Sequence, residues 1–414
     1  MKHIVISMVL ALSLFSATLD EGTAAYDQGN YKKALEILPA HGENGSILAQ
    51  ELLGHVYMFG NGTEVDHAKA QYWYLKAATQ GSQYAQANLG NIYYNNTSDP
   101  KRFEKALTWY GKASKQGNAI AKHNLAKMYD EGKGGVKDPV SALLYYTEAA
   151  ALGYAGSQYT LGVKSHYGQG VKKNMAEAIQ WYEKAAEQDH ADALNKLGYI
   201  YDNGLGVSKN SKKAYGYYKR SALKNNIYAQ YNLATMYKKG KGTKKDLMEA
   251  EKWYLRSYNN GYLDATHGLG VLYFDVNEFG EAFKWFKESA QADDVDSQNY
   301  LGYMYEKGKG TKQDYKKARK WYEKAAKQGN ANAQTNLGIL YDTGRGVKKD
   351  FKKAFKWYSK SANQGDTMAQ YNIGAMYYYG EGTKKNLKKS KKWITKSARG
   401  GYKDAKNFLK TKKF

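Results

Sequence analysis

The sequence predicts an all-α solenoid in which antiparallel helix pairs recur every 36 residues. Three observations carry that prediction. Aromatic residues recur at Trp73, Trp109, Tyr145, Trp181, Tyr217, Trp253, Trp285, Trp321, Trp357 and Trp393, the first nine opening an aromatic pair and the tenth followed by Ile394, and every step is 36 residues except Trp253 to Trp285, which is 32. A second register, a small residue followed by Leu-small four and five places on, recurs as Ala49-Leu53-Gly54, Ala85-Leu89-Gly90, Ala193-Leu197-Gly198 and Ala333-Leu337-Gly338. Between the two registers sits a Gly-x-Gly pair, from Gly60/Gly62 through to Gly380/Gly382. A sustained period of this length marks stacked supersecondary units, not the roughly three separate domains that the chain length alone suggests.

The elements follow in order. Lys2-His3 and the apolar run Ile4 to Phe15 read as a signal peptide over residues 1–24. Twelve helical residues reach only about 18 Å, short of a bilayer core of about 30 Å. Cleavage is expected at Gly22-Thr23-Ala24 or at Leu14-Phe15-Ser16, leaving an exported protein, periplasmic or secreted, with no transmembrane segment. Residues 25–44 form an atypical helical cap, residues 45–401 ten units, and residues 402–414 a Lys-rich closing helix.

Within each unit, Ala at i, Leu at i+4 and Tyr at i+8 share one face, which makes the first helix. The glycine pair then caps it with positive φ. The second helix carries Lys-Ala-x-x-Trp-Tyr with small residues a turn away, as in Ala318-Trp321-Tyr322-Ala325, so that large and small side chains interlock and both aromatics are assigned to core. The second unit lacks its glycines, with Asn95-Asn96-Thr97-Ser98 in their place, and the seventh has lost four residues around Phe274–Asn277.

Taken together, Ala-x-x-x-Leu-Gly-x-x-Tyr, Gly-x-Gly, Lys-Ala-x-x-Trp-Tyr-x-Lys-Ala-Ala and a closing Gln-Gly resemble the Sel-one-like repeat (SLR) family, a relative of the tetratricopeptide repeat. The resemblance covers residues 45–410. It implies a right-handed superhelix used as an adaptor for protein or peptide partners, and no chemistry.

The side chains agree with an absence of chemistry. There is no cysteine, which excludes thiol catalysis and thiolate metal sites and suits an oxidising compartment. The eight histidines are scattered with no i, i+4 pair, and no Ser-His-Asp order or carboxylate pair stands out. No catalytic residue, metal ligand or cofactor site is assigned. The composition, poor in proline and rich in Lys, Tyr and Asn, suits a bacterial envelope protein.

Two surfaces remain as candidates. On the first helices, the column two residues after the small starter varies, with His123, Tyr159, Tyr231, His267 and Tyr371 among its members. The next column holds Asn88, Asn124, Asn232, Asn336 and Asn372. Such superhelices line a concave groove with these positions, and an Asn ladder can bond an extended peptide through both amide groups. On the second helices, nearly the whole net charge of +24 gathers in residues 301–414, which hold 29 Lys+Arg against 8 Asp+Glu. Repeat-equivalent lysines then form a ridge: Lys316/Lys352/Lys388, Lys317/Lys353/Lys389 and Lys320/Lys356/Lys392.

The ridge suits anionic lipid or envelope polymer and suits nucleic acid least, because exposed aromatics are not interleaved with the lysines. The expected function is an exported, monomeric adaptor that holds a protein or peptide in the groove, with the ridge as a tether to an anionic surface. The alternatives are a direct binder of envelope polymer or lipid, and a secreted factor acting on host cells.

Overall fold

The computed structural model describes residues 18–135 and 137–413, and these form 23 helices with no strand among them. The chain divides after Ser208 into two compact halves. The first holds α1 (Leu19–Asp27), α2 (Tyr31–Glu43), α3 (Ile47–Phe59), α4 (His67–Thr79), α5 (Gln83–Asn95), α6 (Arg102–Lys115), α7 (Ala119–Glu131), α8 (Pro139–Ala151), α9 (Ala155–Tyr167), α10 (Met175–Glu187) and α11 (Ala191–Asn203). The second holds α12 (Ser211–Leu223), α13 (Ile227–Lys239), α14 (Leu247–Asn259), α15 (Ala265–Asp275), α16 (Phe279–Gln291), α17 (Val295–Lys307), α18 (Tyr315–Lys327), α19 (Ala331–Thr343), α20 (Phe351–Asn363), α21 (Thr367–Tyr379), α22 (Leu387–Arg399) and α23 (Lys403–Thr411). None of these helices is long and apolar enough to cross a membrane.

The start of the described chain is tied down. Thr18 and Glu21 make a reciprocal capping box on α1. Gly22 packs so closely on Leu38 of α2 that an added Cβ would lie 2.8 Å from its Cδ2. The expected signal peptide lies outside the described residues as far as residue 17, and its last part, residues 19–24, is helical.

Short polar side chains begin the helices, and left-handed glycines end the first helix of each regular unit. Asp66, Asn210, Asp314 and Asp350 each accept the N–H three residues on at the start of a second helix. Gly60, Gly132, Gly240 and Gly344 stop first helices at φ 64–73°. The second glycine of each pair has a different task. At Gly242, Gly310 and Gly382 an added Cβ would stand 2.0–2.2 Å from the carbonyl oxygens of Ser211, Phe279 and Phe351. Each loop therefore rests on the first residue of the second helix one unit earlier, and only glycine permits that approach.

The core repeats with the units. Gly54, Gly90, Gly162, Gly302 and Gly338 admit the rings of Tyr74, Tyr110, Tyr182, Tyr322 and Tyr358, and a Cβ on any of them would meet a ring carbon at 2.4–2.6 Å. The expectation that both aromatics of the pair are core holds at Trp73-Tyr74 and Trp253-Tyr254 and is corrected in the last three units. The second member is buried, while Trp321, Trp357 and Trp393 are only half-buried. The reason is angular: adjacent residues stand about 100° apart on a helix, so only one can point at the glycine. The tryptophan lies beside it, its ring covered by the lysine three residues on, with Lys324, Lys360 and Lys396 at 5.0, 4.7 and 5.3 Å from the ring centres.

A buried glutamine joins successive units. Gln334 Nε2 donates to the Ala326 carbonyl at 3.1 Å, and its Oε1 accepts from Gln364 at 2.9 Å. Gln86 and Gln298 do the same with Ala78 and Gln116, and with Ala290 and Gln328. The carbonyls so bonded lie in the last turn of a second helix, where no intrahelical donor remains.

The irregular units keep their helices and lose their loops. In the seventh, α15 ends in a tight turn with Asn277 at φ 65°. The acids that follow are locally engaged: Asp293 takes a left-handed position at φ 69°, and Asp294 caps α17. In the second, residues 96–99 fold back on themselves through Ser98 N–H to Asn96 Oδ1 and Asp99 N–H to the Asn96 carbonyl.

Candidate functional site

The first helices present one face to solvent, made of positions spaced three and four residues apart. In the first half it carries Leu48, Phe59, Tyr84, Ile120, Tyr167 and Tyr199, each more than two-fifths exposed. In the second half it carries Tyr228, Met368 and Tyr379. Leu48, Tyr84 and Ile120 occupy one repeat position on α3, α5 and α7, immediately before the small starter. Apolar side chains left exposed at successive repeats exceed what the core needs, although the Tyr84 ring also meets the buried Tyr74 edge-on at 6.2 Å. The repeat pattern gave that signal, since these residues precede Ala49, Ala85 and Ala121, but a search for buried stripes passes over it.

The asparagine column lies on the same face and is half-buried. Asn88 Nδ2 donates to the Tyr84 carbonyl at 3.1 Å, Asn124 Nδ2 to Asn91 Oδ1 at 3.0 Å and Asn336 Nδ2 to Asn299 Oδ1 at 3.2 Å. Each of these amides keeps a carbonyl oxygen for a ligand. Asn232 and Asn372, on α13 and α21, are half-buried too.

The variable column beside it meets the start of the next first helix. His123 Nδ1 lies 2.9 Å from Ser157 Oγ, with the ring against Tyr154. Tyr159 stacks on His190 at 4.9 Å, Tyr231 on Tyr262 at 5.4 Å and Tyr371 on Tyr402 at 5.3 Å. His267 Nδ1 lies 2.8 Å from Ser297 Oγ and 3.1 Å from Asp294 Oδ1. The partner changes with the residue, tyrosines meeting aromatic rings and both histidines meeting a serine hydroxyl, His267 with a carboxylate besides, so the variation matches each seam to its neighbour.

The seam shifts its titrating groups. Burial, with Lys127 and His190 adding to it, pushes the His123 imidazole down to about 4. Burial pushes the Tyr159 hydroxyl up to about 12, aided by Asp192 and Tyr167. Burial alone would raise the Asp294 carboxyl, but hydrogen bonds from His267 and Ser297 bring it down to about 2.

The second helices of the second half carry the lysines. All nine ridge residues, Lys316, Lys317, Lys320, Lys352, Lys353, Lys356, Lys388, Lys389 and Lys392, are exposed. Lys317 and Lys353 pair with the capping carboxylates Asp314 and Asp350 at 3.7 and 3.4 Å. The equivalent cap at α22 is the neutral Asn386, so Lys389 has no such carboxylate beside it. Among the described residues, no group of three or more His, Cys, Asp or Glu could hold a metal ion.

The Sel1 repeat signature matches ten consecutive segments: 47–82, 83–118, 119–154, 155–190, 191–226, 227–262, 264–294, 295–330, 331–366 and 367–402. Among solved structures, the chain is similar to a protective antigen present in uropathogenic Escherichia coli strains that displays an SLR fold. The identity is 35% over 90% of this chain and 80% of that one, with a TM-score of 0.79. It is also similar to a Sel1 repeat protein from Oxalobacter formigenes at 25% identity, over 86% of this chain and 92% of that one, with a TM-score of 0.40. Cysteine rich protein B of Helicobacter pylori shares 28% identity over 31% of this chain and 96% of its own, with a TM-score of 0.26. No curated protein matches the chain in sequence.

Proposed function

The chain belongs to the Sel1 repeat family, and from that premise we propose that it is an exported scaffold that binds a protein partner on the solvent-facing side of its first helices. One observation carries the reading: large apolar side chains stay exposed there at successive repeats, with half-buried amides between them. Tyrosine and isoleucine held rigidly on helices lose little entropy when covered, and tyrosine is enriched among residues that dominate interface energies. The asparagines Asn88, Asn124, Asn232, Asn336 and Asn372 add polar bonds to the partner's backbone. Export rests on the N-terminal sequence, and the E. coli relative's description as a protective antigen supports it. Action on host cells is the same binding at another address.

The test is the paired change Tyr84→Asp and Tyr199→Asp. Both side chains are exposed, and because the Tyr84 ring also meets the buried Tyr74 edge-on at 6.2 Å, an unchanged urea midpoint is the control that the fold is retained while the contact is lost. Capture of partners from envelope extract should fall at least about tenfold, which corresponds to roughly 1.4 kcal/mol of binding free energy. Undiminished capture rejects the face.

The exposure of all nine ridge lysines favours a second, auxiliary contact with an anionic surface. Charge reversal at Lys352, Lys388 and Lys392 should then abolish retention on anionic liposomes or heparin, and retention that survives it removes the ridge from the account.

A further inference from the structure

At six units the Gly-x-Gly loop covers the first residue of the second helix one unit earlier. Gly62 seats on Tyr31, Gly206 on Met175, Gly242 on Ser211, Gly310 on Phe279, Gly346 on Tyr315 and Gly382 on Phe351. The residue after that glycine is Val or Thr at each of these six, Thr63, Val207, Thr243, Thr311, Val347 and Thr383, whereas Gly134, which seats on Phe103 of α6, is followed by Gly135. Val347 is half-buried against the core.

Two second helices lack the glycine loop due to cover them, α14, because the seventh unit has lost it, and α4, and at Gly170 an added Cβ would meet nothing of α8 within 4 Å. The loop due to rest on α4 is Asn96-Thr97-Ser98-Asp99, which has no glycine and turns toward α6, where Asp99 pairs with Lys105 at 2.6 Å. A cavity of about 440 Å³ is left over the first turn of α4. Its walls are Met58, Ala68 and Ile92, which are apolar, and Gln71, Asn95 and Asn96, which carry amides. Gln71 Nε2 donates to Tyr93 Oη, Asn95 Nδ2 to the Asn91 carbonyl, and Asn96 Oδ1 accepts from Ser98 N–H. Gln71 Oε1, Asn95 Oδ1 and Asn96 Nδ2 remain for a peptide backbone. An apolar floor with a few convergent polar groups, in this size range, is what a ligand site requires.

We propose that this cavity takes a peptide turn from a partner protein, one that presents Val or Thr directly after a glycine. The turn replaces, from outside, the loop that six units supply from within. A glycine is needed because the incoming backbone must lie as close to α4 as Gly310 lies to Phe279, where a Cβ would meet the carbonyl at 2.0 Å. A β-branched side chain fills the space between Met58 and Ile92. The inference rests on the scaffold reading and names a second contact of that partner, away from Tyr84 and Tyr199.

The probe is the molecule's own loop as a free heptapeptide copying residues 343–349, Thr-Gly-Arg-Gly-Val-Lys-Lys. It is titrated into the full chain carrying methyl-labelled Met, Ile and Ala. The expected result is a saturable shift of the Met58, Ala68 and Ile92 methyl signals, absent when the peptide carries Asp in place of Val. Two variants close the site: Ala68→Phe fills it, and a graft of residues 344–350 in place of residues 96–102 covers it from within. Both should abolish the shifts at Met58 and Ile92, and the graft should also raise the urea midpoint. No shift in the native chain, a shift equal for the Asp peptide, or a shift that survives the graft overturns the proposal. Loss of this site with capture still dependent on Tyr84 and Tyr199 leaves the scaffold reading standing.

Discussion

At the scale of single residues the fold depends on a contact that recurs in most units, a helical glycine against a buried ring. Gly338→Val would drive a branched side chain into Tyr358, whose Cδ1 and Cε1 stand 2.6 Å from the Cβ position. The expected cost is about 1–3 kcal/mol, read as a lower urea midpoint, and an unchanged midpoint would remove this contact from the account. The seam offers a pH test. Because the folded His123 pKa lies below that of an unfolded histidine, the unfolded chain binds the proton first as pH falls. Stability is therefore intact above about 6.5 and lost progressively toward about 4. His55, His166 and His190, all lowered by burial, act with the same sign. His123→Phe keeps an aromatic ring against Tyr154, so the variant's urea midpoint should fall less than the native one between about pH 7.5 and about pH 5. Equal falls would mean that other groups set the dependence. Periodicity placed the aromatic pair on its helix, yet it could not say which member meets the glycine. Two adjacent residues share every i, i+3, i+4 pattern until the opposing helix is known.

At the scale of elements, helices and caps were legible because their signals are local. A polar N-cap, a left-handed glycine and a stripe of small and large residues lie within one unit. The second glycine's role was not legible, because its partner is the backbone of a helix one repeat earlier. The glutamine ladder was hidden for the same reason: Gln334 is read as an ordinary polar residue until the carbonyl of Ala326, at the end of the preceding helix, is placed opposite it. For the proposed export, the N-terminal helix favours one of the two expected cleavage sites over the other. Cutting after Ala24 would remove Thr18 and Gly22, and with them the capping box of α1 and its packing on Leu38. Cutting after Ser16 preserves both. The intact mass of the exported protein should therefore correspond to a chain that begins at Ala17, whereas a chain beginning at Ala25 would show that α1 is dispensable.

At the scale of the molecule, the sequence pointed to the first helices but ranked their columns by variability. The structure ties the most variable column to the seams, where His123, Tyr159 and His267 meet the next unit. The exposed apolar column, Leu48, Tyr84 and Ile120, was passed over because hydrophobic residues were sought only for burial. The account now turns on whether packed contacts on that face, and not charge on the ridge, hold the partner. The most direct measurement is capture from the cell envelope at about 0.05 and about 0.5 M salt, with the native chain and with Tyr84→Asp/Tyr199→Asp in parallel. High salt shortens the Debye length to a few ångströms, which removes long-range attraction and leaves packed contacts largely intact. The account predicts a discrete protein that the native chain retains at high salt and the double variant loses. Bound material that both chains hold equally, or that high salt strips from both, would contradict it.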